Sequence, residues 1–321
     1  MANFTISPGV ALNEIDNTFL VGQPVQAGAA IIGPSVKGPV EVPTLVTSYS
    51  EYVNMFGDII ESGSNVYSFL TSISANSYFQ SGGTSLLVTR VVSGSYTTAT
   101  SSIVTNYDAT NSFILETISE GEIMNSTSTE VAGGSLPSGS RDNLRWEILE
   151  VFHNVNLDPY SSRFISRVIG DQKINYNPSN EQLEVSGSYP NASRYVRVKN
   201  INYPTPNYLG NNGIAKSEFT GSIPTIGSGS FGTAIGNIGA GANFYDNIST
   251  QTQGLVASNY TNAITLLNNL ESYKYNMIST PGLTNESHPS TISTLIANTQ
   301  QRGDSIFIFD LTNSNTGVTS A

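Results

Sequence analysis

Cysteine is absent from the 321 residues, which excludes disulfides, thiolate nucleophiles and cysteine-ligated zinc. His153 and His288 are the only histidines, and the sequence shows neither the chemistry nor the proximity that a metal site or a His-based catalytic set needs. Charge is scarce at 12%. The 13 Lys and Arg against 24 Asp and Glu leave a net charge of −11, which disfavours nonspecific binding to nucleic acid or to an anionic membrane. No apolar run approaches the ~20 residues of a membrane helix, and the first residues lack the basic region and apolar core of a signal peptide. No Gly-x-Ser-x-Gly elbow sits between a strand and a helix. The run Gly33 to Gly38 lacks the Gly-Lys-Ser/Thr end that would make it a phosphate loop. Trp146, the one tryptophan, reads as core rather than as a sugar platform. Glu147 with Glu150, and Glu181 with Glu184, read as solvated charge, and in a strand Glu147 and Glu150 would point to opposite faces. No catalytic residue, metal ligand or cofactor site is therefore assigned.

With 38% hydrophobic residues the chain is not disordered by composition. Its surface is left to Ser, Thr, Asn and Gly, as in β-rich structure with many turns or in a subunit covered by neighbours. The clearest unit runs from Tyr275 to Leu311. A short apolar run ends at Pro281 and Gly282. A helix follows, with Ser290 as its N-cap, Gly303 as its stop, and Ile292, Leu295, Ile296 and Thr299 on one face. The continuous apolar run Ile306 to Phe309 then predicts a strand covered on both faces. Strand, helix and strand in this order imply a right-handed crossover between parallel strands. The loop Pro281 to Ser290, with Glu286 and His288, lies at a strand's carboxyl end, where α/β folds often bind ligands. No cofactor fingerprint accompanies it, and it reads as a capped turn.

The front of the chain has the same texture. Strands are predicted at Gly28 to Gly33, Val42 to Val46 and Ser85 to Val92, the last of them central. Ser48 and Glu51 form a capping box before Tyr52, Val53 and Phe56, with Gly57 as the stop. A helix over Asn65 to Gln80 turns Val66, Phe69, Leu70, Ile73 and Ser77 to one face. A further helix over Asn259 to Tyr273 buries Ala263, Ile264, Leu266, Leu267 and Leu270. Between these parts the chain is rich in Ser, Thr, Gly and Asn. Strands are predicted there at Ser112 to Ile118, at Leu144 to Phe152 and at Arg194 to Lys199, the last with one wet face. A short helix at 162–170 packs Phe164, Ile165 and Val168. Long loops at 121–142 and 203–241 point to extra function or an assembly surface.

The fold class expected is mixed α+β or α/β: a mixed-sheet core flanked by helices (23–95 and 243–321), a protruding β-rich insertion of one or two lobes (96–242), and an extended N-terminal arm (1–22). The arm is carried by Ser7, Pro8, Gly9, Val10, Leu12, Glu14 and Ile15. A lone strand cannot bury its apolar face, so it must pair with a sheet of its own chain or of another.

Several of these runs recur together in one family. Ser7-Pro8-Gly9-Val10 and Glu14-Ile15-Asp16 are followed by Gly33-Pro34-Ser35-Val36-Lys37-Gly38-Pro39 and by Pro43 to Ser48. Phe56-Gly57-Asp58, Tyr78 to Gly83 and Leu87-Val88-Thr89-Arg90-Val91 complete the block. Pro281-Gly282 and Arg302 to Asp310 extend it. In these residues, about half of the chain, the sequence resembles contractile tail sheath proteins of bacteriophages. The resemblance implies a non-enzymatic virion subunit without cofactors, assembled in the host cytoplasm. Its partners would be other copies of itself, the tail tube protein, and baseplate and tail terminator proteins, with no nucleic acid and no membrane insertion. Terminal arms of such subunits join the sheets of neighbours, and contraction drives the tube through the host envelope. Sheath proteins usually continue well past a strand like Ile306 to Asp310, whereas this sequence closes on a polar tail. A fragment, a second polypeptide supplying the rest and a reduced variant all stay open. Two other readings stand beside this one. One is a carbohydrate-binding or glycan-degrading tail protein, using the polar loops with Tyr203 and Tyr208. The other is a tail terminator or baseplate-proximal relative of the sheath.

Overall fold

The computed structural model describes residues 25–62, 65–104, 111–122, 125, 128–129, 148–202, 229–236, 253 and 255–312. In chain order the first elements are β1 (Val25–Gly33), β2 (Thr44–Val46), α1 (Tyr49–Phe56), β3 (Ile59–Ser62), β4 (Asn65–Ser68), α2 (Leu70–Gln80) and β5 (Leu86–Arg90). A lobe follows with β6 (Thr98–Val104), β7 (Asn111–Glu120), β8 (Ser128–Thr129), α3 (Ile165–Ile169), β9 (Lys173–Asn177), β10 (Gln182–Ser186), β11 (Val196–Ile201) and β12 (Gly229–Ser230). The chain then returns through a 3-10 turn (Ala257–Tyr260), α4 (Thr261–Leu267), β13 (Tyr273–Thr284), α5 (Pro289–Arg302) and β14 (Ile306–Asp310).

The main sheet has the order β14-β13-β1-β5-β2. Four strands are parallel and β2 runs antiparallel at one edge. On one face Ala30, Ile32, Leu87 and Ile278 pack with α4 and α5 through Ala263, Leu266, Leu267, Ile292 and Leu295. On the other, Ala29, Ile31, Leu86 and Val88 pack with Tyr52 and Phe56 of α1 and Ala75 of α2. The architecture is thus a mixed sheet between two helical layers, as expected, and the β13-α5-β14 unit is the predicted crossover. The lobe has its own core. Phe113, Leu115 and Val198 of the antiparallel sheet β11-β7-β6 meet Phe164, Ile165 and Ile169 around α3.

Several local expectations are corrected. The helix predicted from Asn65 starts at Leu70, because Asn65–Ser68 pairs with β3 in a hairpin. Of the predicted inward residues only Phe69 is buried: Thr71, Ser72 and Ala75 face inward, while Val66, Leu70 and Ile73 are 59%, 39% and 49% exposed. Small side chains are what the sheet accepts there. A Cβ on Gly33 would collide with Thr71, and one on Gly28 with the Tyr78 hydroxyl, so α2 lies almost on the backbone of β1. At α1, Ser48 Oγ caps the Glu51 amide, but Glu51 answers to Thr47 rather than to Ser48. At α5 the N-cap residue is His288, with Pro289 in the first turn, because proline fits where no amide donor is needed. Helix α4 stops at Leu267 and leaves Leu270 40% exposed. The described part of the strand predicted over 144–152 is not a strand, and Ile148 and Val151 there are exposed. Arg197 is buried at 4%, so the expected wet face of β11 is not wet at that position.

Arg302, at the end of α5, ties three elements together. It donates to the Leu267 carbonyl at 2.7 Å and the Tyr273 carbonyl at 2.9 Å, pairs with Asp304 at 3.0 Å, and lies 4.3 Å from the Tyr275 ring centre. Arg302→Ala would take this donor from the Tyr273 carbonyl and leave the Leu267 carbonyl with only the Tyr275 hydroxyl, and should lower unfolding stability by about 3 kcal/mol. Arg302→Lys, lacking the planar fork, should recover only part of it, as read from urea midpoints.

Candidate functional site

Helix α2 covers one face of the sheet and α5 the other, so the connections diverge between β1 and β13. In an α/β sheet that divergence opens a crevice at the carboxyl ends of the strands, the usual place for a ligand. Here Gln253, 3% exposed, fills it. The Leu70 amide at the start of α2 donates to Gln253 Oε1 at 3.0 Å, and Gln253 Nε2 donates to the Pro281 carbonyl at 2.9 Å. The chain's own amide thus takes the donor that an anion would have met at a helix N-terminus. His288 is 4% exposed. Its Nδ1 lies 2.8 Å from Ser287 Oγ and its ring stands edge-on to Tyr260. Burial lowers its pKa, against a backbone hydrogen bond at Leu255. It pins the start of α5 to the core, while His153 lies exposed on the lobe.

A second constellation joins the lobe to the sheet. Arg90 ends β5 and is 1% exposed. It donates to the Gly38 carbonyl at 2.6 Å and the Glu120 carbonyl at 3.1 Å, and it faces the Tyr96 ring at 5.5 Å. The Val40 amide donates to Glu120 Oε2 at 2.9 Å and the Gly38 amide to Ser119 Oγ at 2.7 Å. The loop carrying Gly38 and Val40 is thereby stitched to the end of β7. Burial raises the Glu120 carboxyl, opposed by the Val40 amide and by Arg90. Four residues earlier the balance reverses. Burial would raise Glu116, but the 2.7 Å bond and charge of Arg197, with Thr98, outweigh it and hold its pKa low.

The third feature is the edge at β14. Phe307 and Phe309 stack on each other and pack against the core under α4 and α5. Strand alternation then sends Ile306 and Ile308 to the other face, where they are 67% and 53% exposed. The expectation of a strand covered on both faces is therefore wrong. A continuous apolar run marks burial of one face here, because β14 is an edge strand and α2 reaches only as far as β13. Leu70 of α2, itself 39% exposed, stands beside Gly282 of β13.

The predicted arm residues Ser7, Pro8, Gly9, Val10, Leu12, Glu14 and Ile15 lie outside the described residues, as do Trp146, Glu147, Tyr203 and Tyr208. Glu150 caps a turn, accepting from Ser193 Oγ and the Arg194 amide. Glu184 accepts from Asn177 and Asn180. Sequence reasoning missed Gln253 and Glu120. Nothing local marks Gln253, and the partners of Glu120 lie 80 and 30 residues away.

No family model and no curated protein matches the chain. Among solved structures it is similar to the sheath tail protein Lin1278 of Listeria innocua, with 12% identity, a TM-score of 0.36, and 88% of this chain and 46% of that one covered. It is also similar to a sheath tail protein of Desulfitobacterium hafniense, with 11% identity, a TM-score of 0.34, and coverage of 93% and 51%. The chain spans about half the length of these structures, and a likeness this loose carries no functional argument.

Two expectations follow. Gln253→Ala leaves the Leu70 amide and the Pro281 carbonyl unpaired and should cost about 2 kcal/mol in urea unfolding. The two β7 carboxyls should give opposite pH dependences. Glu116, held low, contributes stability above its unfolded pKa near ~4.3 that is lost as pH falls through the folded value. Glu120, raised, favours the folded state below its folded value and loses that contribution as pH rises through it. Stability curves from pH 3 to 7 should lose their acid limb in Glu116→Gln and gain relative stability toward neutrality in Glu120→Gln.

Proposed function

We propose that this chain is a structural subunit of a contractile phage tail sheath. Copies polymerise around a tail tube, each leading segment completing the sheet of a neighbour. Shortening of that lattice drives the tube through the host envelope, with baseplate and terminator proteins at its ends. The observation that carries this reading is the free edge of β14. Among the described residues no strand lies beyond β14, and Ile306 and Ile308 stand exposed on one face of it. An edge of this kind is a template for another strand. Burying side chains that are about half exposed is worth roughly 1 kcal/mol each. Val10 and Leu12 alternate in the leading segment, and a strand with that spacing laid along β14 would place both beside Ile306 and Ile308. The motif block from Ser7 to Val92 supports the same reading.

Electron micrographs of the purified protein should show tubes or stacked rings. Deleting residues 1–20, or placing a charge on the edge with Ile308→Asp, should abolish them and leave a folded monomer by circular dichroism. Unchanged polymers from both variants would rule out strand exchange at this edge. Particles carrying the protein once, at one end of the tail, would replace the sheath with the terminator reading.

A further inference from the structure

The lobe carries a hairpin whose sides differ sharply. β9 and β10 pair with Tyr176 opposite Leu183 and Ile174 opposite Val185. Alternation puts these four apolar side chains on one face and Lys173, Asn175, Gln182 and Glu184 on the other. The apolar face is only half seated. Tyr176 and Leu183 pack against the core under α4 and α5 rather than against the lobe's own core, while Ile174 and Val185 stay 36% and 39% exposed. The seat lies near the loop after β1, where Glu41 accepts from Asn262 of α4, and Glu41 is among the carboxylates acting on the Tyr176 hydroxyl.

Both ends of the hairpin turn on glycine. Gly170 has φ 105° and Gly187 has φ 102°, in the region that side-chain-bearing residues rarely adopt. A Cβ at Gly170 would strike Asn191, and one at Gly187 would strike the Asp171 backbone. Between the two glycines and the lobe, Asp171 Oδ1 accepts from the Ser188 and Tyr189 amides at 2.8 and 2.7 Å. The base is thus fixed to the lobe, while the strands beyond it are held by two apolar contacts to a different core. A two-stranded hairpin alone is marginal in water, so its order depends on that seat.

We infer that Lys173–Ser186 is a hinged strap, closed here across the lobe and the main core, which lifts as a unit about Gly170 and Gly187. Lifting it removes the contacts of Tyr176 and Leu183 with the core under α4 and α5, and exposes Ile174, Tyr176, Leu183 and Val185 together. This rests on the fold alone and does not need the sheath reading.

Hydrogen exchange by mass spectrometry on the full chain tests it. Peptides spanning 173–186 should exchange at least ~100-fold faster than those of β7 and β11, in the manner of local opening. Leu183→Asn, which removes the seat, should raise exchange of the strap by a further ~10-fold and leave β1, β7 and β13 unchanged. Tyr176→Ser should do the same from the other strand. Strap amides as protected as β7 in the unaltered protein, or variants that speed exchange equally across the main sheet, would overturn the inference. The first comparison uses no substitution, so it stands even if a variant fails to fold.

Discussion

A parallel sheet in water must hide both its faces, because its crossovers run over them and its strands are apolar throughout. Three of the strands here meet that demand. β1 and β5 are sealed between α1 and α2 on one side and α4 and α5 on the other, and β13 is nearly so. The fourth does not. α5 covers one side of β14 and nothing among the described residues covers the other. The far edge is closed differently, by the three-residue antiparallel β2, too short to template much. The sheet is therefore polar in the assembly sense, with one blunted edge and one that is still open.

Charge is used with the same economy. Of 13 Lys and Arg, Arg90, Arg197 and Arg302 are all under 9% exposed, and each joins segments distant in sequence. Arg90 holds the lobe to the loop after β1, Arg197 holds β11 to β7, and Arg302 holds the end of α5 to α4 and β13 at one corner. A guanidinium suits this work because its fork can satisfy two carbonyls or a carboxylate at once.

The β13-α5-β14 crossover was legible because its helix combines a glycine stop and a clean apolar face, although its N-cap is His288 and not Ser290. So were β1, α1 and β5. The orientation of α2 was not, since the rule that Leu and Ile face inward competes with how closely a helix can approach a backbone rich in glycine. Thr71 and Ala75 won that competition. The exposure of Ile306 and Ile308 was hidden for a related reason: an apolar run records what a strand can bury, not how many layers are present to bury it. Of the candidate site, Arg90 stood inside a recognisable motif. Gln253 did not, because a plug is defined by the space it fills and that space is built from residues near 70 and 281. Arg197 read as a wet strand position because its partner Glu116 is 81 positions away.

The open side of β14 also has a thermal consequence. Its exposed Ile306 and Ile308 would be drawn out of water by a force that is almost wholly entropic near room temperature and fades on cooling. Whatever rests on them is accordingly gripped more firmly in a warm solution than in a chilled one, and an ice bath is a gentler way than denaturant to pry it off.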